Sequence, residues 1–142
     1  MPDSLPHISV RTASERDYPA IARIQQSAPE AAQWPVGDYS GYQVLLALAP
    51  VPVGFCAWRQ STPDEAELLN LAVEPASRRL GVASALLKSL ACTASGTLFL
   101  EVAEPNLPAI ALYEHHGWVR KGVRKGYYDH GNVNAIVMQK RR

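Results

Sequence analysis

The stretch Leu69-Asn70-Leu71-Ala72-Val73-Glu74-Pro75-Ala76-Ser77-Arg78-Arg79-Leu80-Gly81-Val82-Ala83 decides the fold. Ala66 to Val73 is an apolar run of strand length that stops at Glu74-Pro75. A few residues on, Val82, Leu86, Leu87 and Leu90 recur at helical spacing, which predicts an amphipathic helix lasting to about Ala94. A strand, a tight turn and a helix thus follow one another directly. A glycine and small residues at the start of the helix leave backbone N–H groups that nothing inside the helix can satisfy. The helix dipole and the charges of Arg78 and Arg79 make a diphosphate a plausible partner for them. A Walker loop needs Lys-Ser or Lys-Thr after a second glycine, and a dinucleotide fingerprint needs three spaced glycines. Here Gly81 stands alone with Ala83 in the next small position, so neither nucleotide motif is present, and a plain strand-to-helix turn remains the alternative.

Downstream the same grammar repeats. Gly96 resets the chain for a strand over Leu98 to Val102, and Asn106-Leu107-Pro108 opens a helix that runs through Ile110, Ala111, Leu112 and Tyr113 to a glycine cap at Gly117. Trp118 to Arg120 and Ala135 to Met138 read as the last strands, with Gly126 to Asn134 as a polar, aromatic loop between them. Upstream, Ile8, Val10 and Thr12 alternate as in a short strand, and Ser14-Glu15-Arg16-Asp17 resembles an N-cap followed by acidic first-turn residues. Ile21, Ile24 and Ala28 then mark a helix that ends before Pro29. Residues 29–43 mix breakers with aromatics and read as a loop or short helix. Val44 to Ala49 and Val53 to Arg59 flank Pro50-Val51-Pro52 as an antiparallel hairpin.

A chain of 142 residues and 15.5 kDa suits one domain over 1–142, and 47% hydrophobic with 19% charged residues places it among globular proteins. No apolar run approaches the roughly 20 residues that span a bilayer, and Met1-Pro2-Asp3-Ser4-Leu5 lacks the features of a signal peptide. The expectation is a soluble cytoplasmic protein without a membrane partner. Cys56 and Cys92 lie far apart in apolar surroundings and read as buried free thiols, with no zinc cluster or other metal site. Charge is uneven: from Arg120 onward seven cations face Asp129 alone, a balance of +6, against seven cations and twelve acids, −5, before it. A basic C-terminal segment of this kind can contact an acidic surface, though such runs are commonly just solvated.

Arg78-Arg79-Leu80-Gly81-Val82-Ala83 resembles the pyrophosphate loop of the GCN5-related N-acetyltransferases, whose pattern is Arg or Gln, two residues, Gly, one residue, then Gly or Ala. Leu69 to Pro75 is similar to the strand that precedes that loop, and Asn106 to Trp118 to the family's Asn-x-x-Ala-Ile-x-Leu-Tyr-Glu-x-x-Gly-Phe segment. The closest likeness is to the branch that acetylates ribosomal-protein alanine and other protein N-termini. Leu100-Glu101-Val102, Arg124-Lys125-Gly126-Tyr127-Tyr128 and Ala135-Ile136-Val137-Met138 stand where that branch has similar words. The resemblance is dense from Asp64 to Met138 and weak before it. It implies a mixed α/β (α+β) fold, with a mostly antiparallel sheet splayed between two central strands and helices on both faces. The cosubstrate it implies is acetyl-CoA, without a metal. Its diphosphate would lie on Arg78, Arg79, Leu80, Gly81, Val82, Ala83 and Ser84, and its pantetheine arm along Leu71, Ala72 and Val73.

Acyl transfer to an amine needs a neutral nucleophile, an oxyanion donor and a proton for the departing thiolate. Glu101 lies near the end of an apolar strand and faces the same side as Phe99, where a base or a solvent-facing strand end are both compatible with spacing. The resemblance makes it the group that takes the amine's proton. An α-amine, with a pKa of about 8 against about 10.4 for lysine, suits such a modest base. The resemblance likewise makes Tyr113 the acid for the sulfur, where residue type alone suggests a half-buried core aromatic. Asn106 reads as the cap of the Tyr113 helix and, by resemblance, as a further cofactor contact. Tyr127 and Tyr128, two large aromatics in a loop, are read as a wall for the acceptor's N-terminus, with Trp34 and Tyr39 as the facing wall or as core. His115 and His116 point about 100° apart on a helix without ligand-spaced companions, and Ser84 and Ser89 lack a nucleophile elbow. The reading is acetyl transfer by direct attack on a protein or peptide N-terminus, a ribosomal protein among the candidates. A small-molecule amine acceptor and a non-catalytic CoA-binding or ribosome-docking module remain alternatives.

Overall fold

In a computed structural model the chain is described over residues 7–141; Met1-Pro2-Asp3-Ser4-Leu5 and Arg142, read above for leader character and charge, lie outside them. The strands are β1 (Ser9–Thr12), β2 (Gln43–Leu48), β3 (Pro52–Thr62), β4 (Glu65–Val73), β5 (Thr97–Ala103), β6 (Val119–Tyr128) and β7 (Val133–Lys140). The helices are α1 (Tyr18–Ser27), α2 (Val82–Thr93) and α3 (Leu107–His115). The chain divides into two units: the part up to Arg59 with Leu68–Thr93, and Gln60–Glu67 with the part from Ala94 onward.

In the first unit, β1, β2, β3 and the second half of β4 are neighbours in that order, with β1–β2 and β2–β3 antiparallel. The Pro-rich turn at residues 49–51 joins β2 to β3 as expected. α1 begins with Pro19 in its first turn, where a missing N–H costs nothing. Ser14 and Asp17 precede it as a cap, the Ser14 N–H donating to Asp17 Oδ2 at 2.8 Å. Ile21, Ile24 and Ala28 bury against Val44, Leu46, Phe55, Ala57 and Ala72. Alternation puts Gly54 on the opposite face from Phe55, and a Cβ there would meet Val82 Cγ1 at 2.8 Å, so α2 packs on that other face. Helices therefore cover both faces. Residues 36–41 form a 3₁₀ turn within the segment read as loop or short helix.

In the second unit the order is β4, β5, β7, β6. β4 and β5 are parallel, with Glu65, Ala66 and Glu67 opposite Thr97, Leu98 and Phe99. The turn into β5 is stapled by Gln60, whose Nε2 donates to the Thr62, Glu65 and Ser95 carbonyls at 2.8, 3.0 and 2.8 Å. β5 pairs antiparallel with β7 from Leu98 to Ala103, and β7 with β6.

Two expectations need correction. β6 extends to Tyr128 instead of ending near Arg120, so Tyr127 and Tyr128 belong to a strand and only residues 129–132 form the connection. Irregular register at 120–122 and 124–128 breaks the alternation that would have marked the strand. Cys92 is exposed on α2; Cys56 alone is the buried thiol, pushed up to about 12 by its burial, with a weaker lowering from the Leu45 backbone.

Candidate active site

The first unit holds the residues read as cofactor loop and as one acceptor wall. Leu71 and Val73 alternate with Ala72, which is buried, and the Glu74 N–H closes the strand end by donating to the Val53 carbonyl at 2.9 Å. A 3₁₀ turn over Pro75–Ser77 leads to Arg78 in extended conformation. Arg79 then takes φ +66° and Gly81 φ +87°, two left-handed residues flanking Leu80. Gly81 adopts this without penalty, whereas Arg79 carries about 1 kcal/mol or more of backbone strain. The Ala85 N–H donates to the Gly81 carbonyl at 3.0 Å, and the small residues Ala83 and Ser84 stand in the first turn of α2. This curl ends in a helix start on small residues, the kind of backbone that can hold a diphosphate.

The Arg78 side chain is otherwise engaged. Its Nε donates to the Val73 carbonyl at 3.2 Å, and its guanidinium is ion-paired with Glu30. The positive charge assigned to it from sequence is thus offset, leaving the exposed Arg79 as the loop's cation.

Tyr39 is 1% exposed and sits in the core, not in a wall. Its hydroxyl donates to Gln25 Oε1 and accepts from Asn70 Nδ2 at 2.9 Å, and burial pushes the phenol up to about 12. Asn70 also bonds the backbone of Ala32 in both directions, at 3.0 and 3.1 Å, which ties residues 31–39 to β4. Trp34 is half-buried, its ring 5.0 Å from Tyr39 and 5.4 Å from Tyr42. Asn70 and Gln25 carry no signal in the sequence; their partners lie up to 38 residues away, and no local spacing reports that.

The second unit holds the residues read as acid and base. Asn106 Oδ1 accepts from the Ala109 N–H at 3.3 Å and caps α3. Tyr113 is buried on α3 with its ring 5.8 Å from Trp118, and Gly117 with φ +88° turns the chain after the helix. On β5, Glu101 shares a face with Phe99, as alternation requires, and both line an open groove of about 230 Å³ with Ser61, Glu65, Glu67 and Val137. The Glu101 side chain is 18% exposed, and Arg124 Nη1 lies 3.2 and 3.3 Å from its two carboxylate oxygens. Tyr128 donates its hydroxyl to the Glu101 carbonyl at 3.4 Å; burial first, then Tyr127 and Glu101, raise this phenol above its ordinary range. Tyr127, half-exposed, stacks edge-on to Tyr128 at 4.8 Å and lies under the Arg124 guanidinium at 4.8 Å. The structure thus brings Glu101, Tyr127 and Tyr128 together and adds Arg124, 23 residues from Glu101, which sequence reasoning placed only within a motif.

The sequence profile of the acetyltransferase (GNAT) family matches residues 8–118. The chain belongs to this family. It is an acetyltransferase with a mixed, mostly antiparallel sheet, and its similarities run through nearly its full length. It is 34% identical over 141 residues to the [ribosomal protein bS18]-alanine N-acetyltransferase of Salmonella typhimurium, covering 92% of this chain and 95% of that protein. With the Haemophilus ducreyi protein of the same name it shares 31% identity over 149 residues, 91% and 97% of the two chains. The crystal structure of the ribosomal-protein-S18-alanine N-acetyltransferase from Escherichia coli superposes with a TM-score of 0.82 at 30% identity, covering 95% and 94%. Among the described residues no group of three or more His, Cys, Asp or Glu is placed to hold a metal ion, and no helix is long and apolar enough to cross a membrane.

Proposed function

We propose that this acetyltransferase moves the acetyl group of acetyl-CoA to the N-terminal α-amine of a protein in the cytoplasm, with a ribosomal protein beginning with alanine as the leading acceptor. The observation that carries the reading is the Glu101 carboxylate, 18% exposed at an open groove and framed by Arg124, Tyr127 and Tyr128. The relatives named for alanine acetylation support the choice of acceptor. One acetyltransferase domain, 1–142, carries the reaction.

In this reading, residues 78–84 hold the diphosphate and Leu71–Val73 the pantetheine arm, with Asn106 as a further contact. Glu101 takes the proton that the neutral amine gives up as its nitrogen attacks, directly or through a water. The amine nitrogen forms its bond to the thioester carbonyl carbon, a backbone N–H at the end of β4 receives the developing negative charge, and the carbon–sulfur bond breaks. Tyr113 supplies the proton that the departing thiolate takes up, a phenol of about pKa 10 meeting a thiol of about 8.5. No covalent acetyl-enzyme is involved. Tyr127, Tyr128 and Trp34 flank the acceptor's first residues.

The test is a peptide library with varied N-terminal residues, incubated with acetyl-CoA and read by mass spectrometry. Acetyl should appear on α-amines, with alanine starts favoured, and Glu101→Gln should lower kcat about 100-fold or more. Full turnover by that variant, or labelling confined to lysine ε-amines, overturns the reading. Glu65 and Glu67 beside Glu101 in the groove favour a second reading, a small polyamine acceptor, which spermidine included in the same panel would reveal. The cationic, exposed β6 supports contact with an acidic surface, which should weaken steeply with added salt.

A further inference from the structure

The groove at Glu101 would be expected to attract cations. Glu65, Glu67 and Glu101 all line it, with Phe99 and Val137 as apolar floor. An unopposed carboxylate there would draw in any alkylammonium, a lysine side chain as readily as an N-terminus. Arg124 opposes it: its Nη1 lies 3.2 Å from one Glu101 oxygen and 3.3 Å from the other.

We propose that Arg124 is a specificity-determining residue, whose guanidinium offsets the charge of Glu101 and so disfavours ε-ammonium groups relative to α-amines. The inference rests on the assignment of Glu101 as base. Its physical core is the difference between the two acceptors. At neutral pH a noticeable fraction of α-amines, of pKa about 8, is uncharged, while lysine, of pKa about 10.4, is almost wholly cationic. A lysine must enter as an ammonium and needs a net negative site, whereas an α-amine can enter nearly neutral. A guanidinium suits this task because it stays protonated across the whole range in which amines titrate.

The surroundings hold Arg124 in place. Although its side chain is 56% exposed, the guanidinium lies over the Tyr127 ring at 4.8 Å, and that ring is braced by Tyr128 at 4.8 Å. Tyr128 in turn donates to the Glu101 carbonyl at 3.4 Å, so cation and carboxylate belong to one frame spanning β5 and β6. An isolated exposed ion pair contributes little to stability. The value of this one lies in the charge it sets at the groove.

The experiment compares wild type, Arg124→Gln and Arg124→Lys on two competing peptides, one with a free N-terminal alanine and no lysine, the other capped at its N-terminus with a single lysine. The ratio of kcat/KM for the α-amine to that for the ε-amine should fall about tenfold in Arg124→Gln and stay within about threefold of wild type in Arg124→Lys, which restores the charge but not the stack. Inhibition by n-butylammonium gives a second readout and should strengthen about tenfold in Arg124→Gln. Equal losses for both peptides with unchanged inhibition, or an Arg124→Lys ratio as low as that of Arg124→Gln, overturn the inference and leave Arg124 as a structural brace. Failure of the base assignment shows separately, as full turnover by Glu101→Gln.

Discussion

Asn70 donates its side-chain N–H to the Tyr39 hydroxyl at 2.9 Å, joining β4 to a segment 31 residues earlier. That hydroxyl also serves Gln25, and Asn70 holds Ala32, so one buried polar cluster fixes the course of residues 31–39. Tyr39→Phe keeps the ring and deletes the junction, leaving buried amide groups short of partners. The expected cost is about 1–3 kcal/mol in urea unfolding. Wild-type stability in this variant would mean that the cluster does not constrain the segment.

Asp17 receives both terminal guanidinium nitrogens of Arg11, at 2.8 and 2.9 Å, together with the Ser14 N–H. Arg11 chiefly, then Ser14, hold the carboxyl down to about 2 against the opposing effect of burial. Because the folded value lies below the unfolded one of about 3.9, the stabilisation is complete above about pH 4 and disappears as pH falls toward 2. Arg11→Gln should therefore lower stability by about 1 kcal/mol at pH 7, a value reduced for the exposure of the arginine, and by progressively less in acid. Denaturant titrations at pH 7, 4 and 2.5 check this; a difference that does not shrink with acidity contradicts it.

Gly96 has φ +78°, and a Cβ on it would lie 2.0 Å from the Asp64 carbonyl oxygen. Backbone on both sides leaves nothing to yield, so Gly96→Ala should destabilise by about 3 kcal/mol or more. Gly37→Ala, with nothing within 4 Å of the added carbon, is the control and should change stability by less than about 0.5 kcal/mol. Comparable melting temperatures for the two variants would refute the argument.

The two cysteines should separate cleanly. A thiol reagent ought to modify the exposed Cys92 rapidly in the native protein and reach Cys56 only after unfolding, since burial raises that thiol to about 12. Cys92→Ser should abolish the fast phase. A fast phase surviving in Cys92→Ser would show that β3 opens readily.

The order of strands and helices was legible in the sequence wherever a local signal sufficed. Asn106 before Leu107-Pro108 caps α3 through its own side chain, Gly117 turns left-handed after it, and Glu101 shares the face of Phe99 because alternation in a strand admits nothing else. The strand, turn and helix around residues 78–84 could be read from spacing because the glycine and the following helix lie within a few residues, whereas a diphosphate role for them is what the family resemblance implies. Only tertiary structure decided which polar groups meet. Arg124 reaches Glu101 because β7 lies between β5 and β6, and Arg78 pairs with Glu30, 48 residues away. Tyr39 became core because Gln25 and Asn70 satisfy its hydroxyl there, and β6 kept its strand through two irregularities that hide its period. Backbone caps and face alternation are set by neighbours in the chain, whereas charge neutralisation and burial depend on groups dozens of residues away that only folding brings into reach.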